Sequence, residues 1–137
     1  MSFFGSLQVA SSGMQAQRLR LDIIASNIAN ANTVTTQEGG PYKRKDVVFE
    51  SEKFSKYLEG VKVADIVRDD TPPKLVYDPT NPLANSKGYV AYPNINPIVE
   101  MINLLDATNS YQANISAFNA AKQMAQSIIG VLNVWFL

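Results

Sequence analysis

The sequence of 137 residues contains no cysteine and no histidine, and its twelve basic residues are balanced by twelve acidic ones. Without cysteine the chain cannot form a disulfide or use a thiol nucleophile, and without histidine it lacks an imidazole base and the usual zinc ligands. Zero net charge removes the sequence-independent attraction to phosphate on which most nucleic-acid binding depends. It also lowers the charge repulsion that opposes close self-association. These absences exclude many enzyme classes and predict no nucleic-acid partner.

Long hydrophobic runs are missing as well. The longest, IIGVLNVWFL at residues 128–137, is far shorter than the roughly 18 apolar residues that a membrane span needs, so we expect no transmembrane segment. The start, MSFFGSLQVASSG, has neither a basic region nor an unbroken apolar core, and therefore predicts no cleaved signal peptide. The length suits one domain.

The first segment, residues 1–32, has the pattern of a long helix from Phe3 to about Asn32. Apolar residues recur at every seventh position: Leu7, Met14, Leu21 and Ile28. Ala10, Gln17 and Ile24 occupy the position between them. This repeat predicts a coiled-coil seam. Glycines and serines near residues 11–13 lower the intrinsic helicity, so packing against another element must stabilise the helix.

The middle segment, residues 33–96, is rich in turn signals such as QEGGPYKRK, RDDTPPK and YDPTNP. Between them lie short apolar runs, including DVVF, GVKVADIV and KLVY. This alternation predicts a small set of β-strands and an extended loop. Prolines 79 and 82 keep the DPTNPL stretch out of helices and central strands.

The last segment, residues 97–137, predicts a second long helix. Asn96 is a favourable N-cap, and Pro97 fits the first helical position, where its missing N–H costs nothing. Some forty residues of helix would reach roughly 55 to 60 Å. The fold class predicted is therefore α+β, mainly α, in which long terminal helices pair as a coiled coil and a small β- and turn-rich segment lies between them.

The apolar residues exceed what this architecture can bury. Seven of them lie off the predicted seams: Leu19, Ile23, Val99, Leu104, Val131, Val134 and Phe136. The middle segment is too small and too polar to cover helices of this length. We therefore expect other copies of the chain, or close relatives, to cover them.

Residues 26–37, SNIANANTVTTQ, place three asparagines where leucine or alanine would favour a helix more. Asparagine side chains compete with the backbone for hydrogen bonds, so one interpretation is a helix that ends in a loop. The other is that Asn27 and Asn30, which are three residues apart and share a helical face, are polar pins in a helix-to-helix seam. The pattern alone leaves both open.

Candidate chemical groups are few. Carboxylates for acid–base chemistry could come from Glu50, Glu52, Glu59, Asp65, Asp69, Asp70 and Asp78, but these lie among turns and strand edges with no phosphate loop, nucleophile motif or calcium loop nearby. Carboxylates at such positions usually form part of a solvated surface. The cluster Lys43–Lys45 is more typical of a solvated loop or an ion-pairing site than of nucleic-acid binding. The aromatic residues Tyr89, Tyr92, Trp135 and Phe136 suggest core or interface packing and no cofactor.

Two motifs resemble the paired terminal signature of bacterial flagellar rod and hook proteins. They are ASNIANANT at the end of the first helix and SYQANISAFNAAKQM in the last. The stretch KLVYDPTNPLANSKGYVAYPNI, followed by Glu100 and Met101, is similar to the proximal rod proteins of the flagellar basal body. The resemblance implies a non-enzymatic axial subunit without cofactor or metal. It would polymerise with its own copies and other rod proteins into the hollow, periplasm-spanning drive shaft through which flagellar subunits are exported.

The resemblance also implies partners. These are the flagellar type III export apparatus, which needs no cleaved signal, and the adaptor region between rod and membrane ring. The expected assembly interface combines the seams with the family motifs: Leu7, Met14, Leu21, Asn27, Ile28, Asn30, Asn32, Leu105, Tyr111, Gln112, Asn114, Ile115, Phe118, Met124, Ile128 and Leu132. Two other functions compete. One is a helical-hairpin adaptor or chaperone that captures a partner helix, and the other is an enzyme whose Asp-rich loops act on cell-wall substrate.

Overall fold

Two long helices dominate the fold of the computed structural model, which describes residues 3–137. Helix α1 spans Phe3–Ala29 and helix α2 spans Pro97–Trp135. The start of α2 is confirmed, because the Asn96 side chain accepts a hydrogen bond of 3.0 Å from the Ile98 N–H. The end of α1 is three residues earlier than predicted. Residues 30–32 form a turn instead, because Asn30 leaves the helix geometry and its carbonyl accepts from the Thr33 N–H.

The helices pair in antiparallel orientation, since Arg20 of α1 forms an ion pair with Asp106 of α2 while the end of α1 meets the start of α2. The predicted pairing of the terminal helices is thus confirmed. The seam itself is displaced by one residue on α1, where its contacts to α2 come from Gly13, Arg20 and Asn27. The residues predicted at every seventh position are half-buried, namely Leu7, Met14, Leu21 and Ile28. Of the intervening positions of the predicted seam, Ala10 and Ile24 are buried.

Small residues explain this displacement. Alanines 10 and 16 on α1 and alanines 107 and 121 on α2 are buried, and small side chains at a contact let two helix axes approach closely. Gly13 is the extreme case, because its backbone faces the Asn114 side chain without room for a β-carbon. Small side chains therefore fill part of the seam, and Ile24 is the large apolar residue of α1 that is buried with them.

The middle segment forms two antiparallel hairpins. Strand β1, Lys45–Ser55, pairs with β2, Leu58–Arg68, and strand β3, Lys74–Tyr77, pairs with β4, Tyr89–Tyr92. The register of the first hairpin shifts at Val48/Phe49 and again at Lys53/Ser55, as β-bulges do. The long connection between β3 and β4 carries the DPTNPL stretch outside any helix or strand, as the prolines predict.

The first hairpin packs on α1. The buried Ser12 hydroxyl accepts a hydrogen bond of 3.2 Å from the Val61 N–H and donates one of 2.7 Å to the Val9 carbonyl. A β-carbon at Gly60 would lie 2.5 Å from both Phe54 and the Ser12 hydroxyl, so only glycine lets the strand come this close. Helix α1 is thereby covered on two sides, by α2 and by the hairpin.

Candidate assembly interface

Asn27 is the most completely used polar side chain at the helix seam, and it is 0 % exposed. Its amide nitrogen donates to the Lys45 carbonyl (2.8 Å) and to Glu100 Oε2 on α2 (3.2 Å). Its oxygen accepts from the Lys45 N–H (3.0 Å) and from the Tyr42 hydroxyl (3.2 Å). The inter-helix hydrogen bond predicted for Asn27 is therefore formed, and the same side chain also fixes the first residue of β1.

Glu100 lies in the first turn of α2 and is 1 % exposed. One carboxylate oxygen accepts from Asn27, and the other accepts from Arg44 Nε at 2.5 Å. Arg44 also donates to Asp46 at 3.1 Å. Burial disfavours the charged guanidinium, but these hydrogen bonds outweigh burial and raise the pKa of Arg44 above its ordinary value. The pair is a charge-assisted contact between α2 and the segment that leads into β1.

We call Asn27, Tyr42, Arg44 and Glu100 the polar node. Tyr42 completes it, because its hydroxyl lies 3.2 Å from the Ser26 hydroxyl as well as from Asn27. The node joins the end of α1, the start of β1 and the start of α2 at one buried point. Its members satisfy one another, which is what a buried polar cluster requires.

Asn30 behaves differently from Asn27. Its amide donates to the Ser26 carbonyl at 2.9 Å and its oxygen accepts from the Thr33 hydroxyl at 3.1 Å, so both contacts are local. Within the chain Asn30 forms a helix end and makes no inter-helix bond, contrary to the polar-pin interpretation. The reason is the early end of α1, which leaves residue 30 beyond the seam. Asn32 is exposed in the turn that follows.

The remaining residues of the predicted interface fall into two groups. Four on α2 are half-buried beside α1: Tyr111, Asn114, Ile115 and Phe118. Five others on α2 are exposed: Leu105, Gln112, Met124, Ile128 and Leu132. The second group is available to contacts outside the chain, although Met124 and Ile128 line a cavity together with Phe3 of α1.

Helix α2 carries exposed apolar residues at both ends, on its outer face near the start and beyond the start of α1 near the end. Near the start, Ile98, Ile102 and Leu105 follow helical spacing on the side opposite Glu100, and Leu105 is 63 % exposed. Near the end, residues 128–137 extend beyond the start of α1, where Phe3, Met124 and Ile128 line one open cavity. Val134 and Trp135 there are 72 % and 83 % exposed. Exposed apolar surface of this extent marks a site of association with other protein chains.

Four of the acidic residues considered for catalysis have structural partners. Asp65 and Asp69 accept hydrogen bonds from the backbone N–H groups of Ile66 and Thr71. Glu50 and Glu59 form exposed ion pairs with lysines of the same hairpin. Within residues 3–137, no group of three or more acidic side chains is arranged to hold a metal ion. No helix in this range is long and apolar enough to cross a membrane.

Sequence reasoning missed Glu100, Arg44 and Tyr42 as members of the polar node. Arg44 belongs to the cluster Lys43–Lys45, for which the sequence predicts a solvated loop or an ion-pairing site at a protein interface, whereas Arg44 pairs with Glu100 and Asp46 of its own chain. A signal for Glu100 was present, because it is the only acidic residue in the apolar stretch PIVEMINLL. Nothing local in the sequence identifies its partners, which are 56 and 73 residues away.

Two family descriptions match the terminal parts of the chain. Residues 7–35 match "Flagella basal body rod protein", and residues 86–131 match "Flagellar basal body rod FlgEFG protein C-terminal". The first match covers most of α1 and the turn after it, and the second covers β4 and nearly all of α2. The matched regions therefore include Asn27 and Glu100.

Curated relatives match over nearly their full length. The flagellar basal-body rod protein FlgC of Escherichia coli O6:H1 is 45 % identical over 90 % of this chain and 93 % of its own. Those of Bacillus subtilis and Borreliella burgdorferi are 42 % and 39 % identical over 96 % of this chain and 99 % of theirs. Paired terminal helices with an uncovered apolar face define an assembling structural protein. The chain belongs to the family of flagellar basal-body rod proteins.

Proposed function

We propose that this chain is a structural subunit of the proximal flagellar rod, held in place by neighbouring subunits that cover the outer face of α2. The exposed apolar rows at the two ends of α2 carry the proposal. The row near the start lies on the side of α2 opposite the intrachain seam, and the row near the end lies beyond the start of α1, so a neighbour can cover both without disturbing the helix pair. Neutral charge adds little repulsion between copies.

The finer features of the proposal follow the family resemblance. The rod would be a hollow, periplasm-spanning shaft that transmits torque and allows flagellar subunits to pass. The chain would reach it through the flagellar type III export apparatus and contact other rod proteins and the adaptor region near the membrane ring. The relatives are named as rod proteins, which are structural, and we assign no catalytic reaction to this chain.

A helical-hairpin adaptor or chaperone is the second candidate function. It would use the same exposed face to capture one helix in a finite complex. The relatives do not favour it, because those that match carry the name of rod proteins. The two functions differ in where the protein is found, in the rod or in a soluble complex.

Substitution of Leu105 tests the proposal. We expect Leu105→Asp to leave the folded chain intact, because this side chain is largely exposed, but to prevent incorporation into rods, because a neighbour would have to bury an unpaired charge. Leu105→Met is the matched control, since it changes the same exposed position but keeps an apolar side chain for a neighbour to cover. The measurement is the amount of each variant in purified basal bodies, with motility and thermal unfolding. Normal rods built from Leu105→Asp would disprove the role of this face.

A further inference from the structure

The helix seam repeats in a way that permits a second register. On α2 the residues facing α1 are seven apart, namely Glu100, Ala107, Asn114 and Ala121. On α1 the facing residues Gly13, Arg20 and Asn27 have the same spacing. A shift of α2 by seven residues, about 10 Å, would bring Ala107 to Asn27 and Ala121 to Gly13. Both alanines are small, so side-chain size alone does not oppose the shift.

Two other polar contacts of the seam discriminate little between the registers. Asn114 donates its amide hydrogen bond to the Ser110 carbonyl of its own helix and therefore holds no particular residue of α1. The Arg20–Asp106 ion pair is 3.0 Å long, but the Asp106 side chain is 64 % exposed, and exposed pairs of this kind contribute little. The remaining polar contacts between the helices and their surroundings are those of Glu100 with Asn27 and Arg44.

We propose that Glu100 is the positioning residue that sets the register of α2 on α1, and that Arg44 ties this register to the β1–β2 hairpin. Glu100 has one oxygen on Asn27 of α1 and the other on Arg44. In the shifted register both bonds are lost, and Ala107 offers Asn27 no acceptor. Buried polar groups that fix helix register are known from coiled coils.

Arg44 extends the constraint beyond the helices. Its carbonyl accepts a hydrogen bond of 2.8 Å from the Asp69 N–H just after β2, while its guanidinium holds Glu100. Asn27 binds both backbone groups of Lys45 at the start of β1. One carboxylate therefore aligns α2 with α1 and with the hairpin together. The inference concerns the chain's own helix pair and does not depend on the rod function.

Cross-linking measures the register directly, and the absence of native cysteine makes engineered thiols specific. In the purified full-length chain, Arg20→Cys is combined with Asp106→Cys to report the observed register. In a second chain, Arg20→Cys is combined with Ala113→Cys to report the shifted one. Asp106 and Ala113 are both exposed on α2 and lie seven residues apart. The readout is the ratio of intramolecular cross-links formed by the two pairs with a short bis-maleimide.

Each cysteine pair is then placed in four backgrounds. These are the unchanged chain, Glu100→Gln, the double variant Arg44→Leu/Glu100→Leu, and the control Glu50→Gln. Glu50→Gln makes the same chemical change at an exposed ion pair of 2.9 Å with Lys62, away from the helix seam. The double leucine variant removes both charges together and so avoids an unpaired buried charge, which keeps it folded.

We expect the ratio to favour the observed register in the unchanged chain and in Glu50→Gln. In Glu100→Gln and in the double leucine variant it should fall by about tenfold or more, equivalent to ~1.4 kcal/mol. If Glu100 acted only through overall stability, its substitution would lower the melting temperature and leave the cross-link ratio unchanged. That result, or an unchanged ratio in a folded double leucine variant, would overturn the proposal.

Discussion

The backbone of Gly13 on α1 lies directly against the side chain of Asn114 on α2. A β-carbon at residue 13 would come within 2.6 Å of Asn114 Oδ1, a distance that non-bonded atoms do not tolerate. Any side chain at residue 13 would therefore require Asn114 or one of the helices to move.

Gly13→Val should push the helices apart. We expect a loss of about 1 to 3 kcal/mol in the free energy of unfolding, the usual cost of overpacking, even though valine is a better helix former than glycine. Chemical denaturation measures this. Gly130→Val is the control, since a β-carbon there meets nothing within 4 Å, and it should be neutral or slightly stabilising. Equal effects of the two substitutions would contradict the close approach at Gly13.

Alanine substitutions should separate Asn27 from Asn30. Asn27→Ala leaves Glu100 and the backbone groups of Lys45 short of partners in a buried site, and we expect at least ~1 to 3 kcal/mol of destabilisation. Asn30→Ala loses only contacts at the helix end and should cost under ~1 kcal/mol. Urea unfolding of both variants and motility of the complemented strains are the measurements. A larger destabilisation by Asn30→Ala than by Asn27→Ala would contradict the assignment of Asn27 as the residue that joins the helices.

Charges at the edge of the seam should block assembly. Leu21 and Ile115 are half-buried within the chain, and a neighbouring subunit would bury them further. Leu21→Asp or Ile115→Asp should therefore abolish incorporation into rods, since an unpaired buried charge costs several kcal/mol. In the proposed export route the chain passes unfolded, so the variants should still leave the cytoplasm in cell fractionation. The controls are Leu21→Met and Ile115→Val; rods containing either Asp variant would place these residues outside the interface.

The bidentate pair of Glu38 and Arg68 should make a small contribution to stability that depends on pH. Hydrogen bonding from Arg68 lowers the pKa of Glu38 below its ordinary value. A lowered carboxyl pKa stabilises the folded chain above the ordinary value of about 4.3, and this contribution is lost as pH falls through the lowered value.

The test compares melting temperatures of the unchanged chain and Glu38→Gln. We expect a difference at pH 7 that disappears near pH 2 and shrinks in about 1 M salt, because the pair is exposed. Asp22→Asn, at an exposed carboxylate of α1, should show no such pattern. A difference that persists at low pH would mean that Glu38 acts through packing.

The polar node shows the limit of reasoning from local pattern. Asn27 and Asn30 look equivalent in the sequence, three residues apart in the same motif, and only Asn27 joins the helices. What separates them is the end of α1 at Ala29, and that end depends on how residues 30–42 turn back toward β1. Glu100 was visible as an acidic residue in an apolar stretch, but its partners come from distant parts of the chain.

Local physics in the sequence determined the long terminal helices, the N-cap at Asn96, the turn-rich strands between them and the surplus of apolar surface. Each of these follows from side-chain periodicity, capping or turn chemistry within a few residues. The tertiary structure alone decided which stripe of α1 meets α2. A heptad of leucine, methionine and isoleucine indicated one stripe, but the residues that meet α2 are shifted by one to Gly13, Arg20 and Asn27, because the missing side chain at Gly13 permits the close approach beside which the larger residues pack.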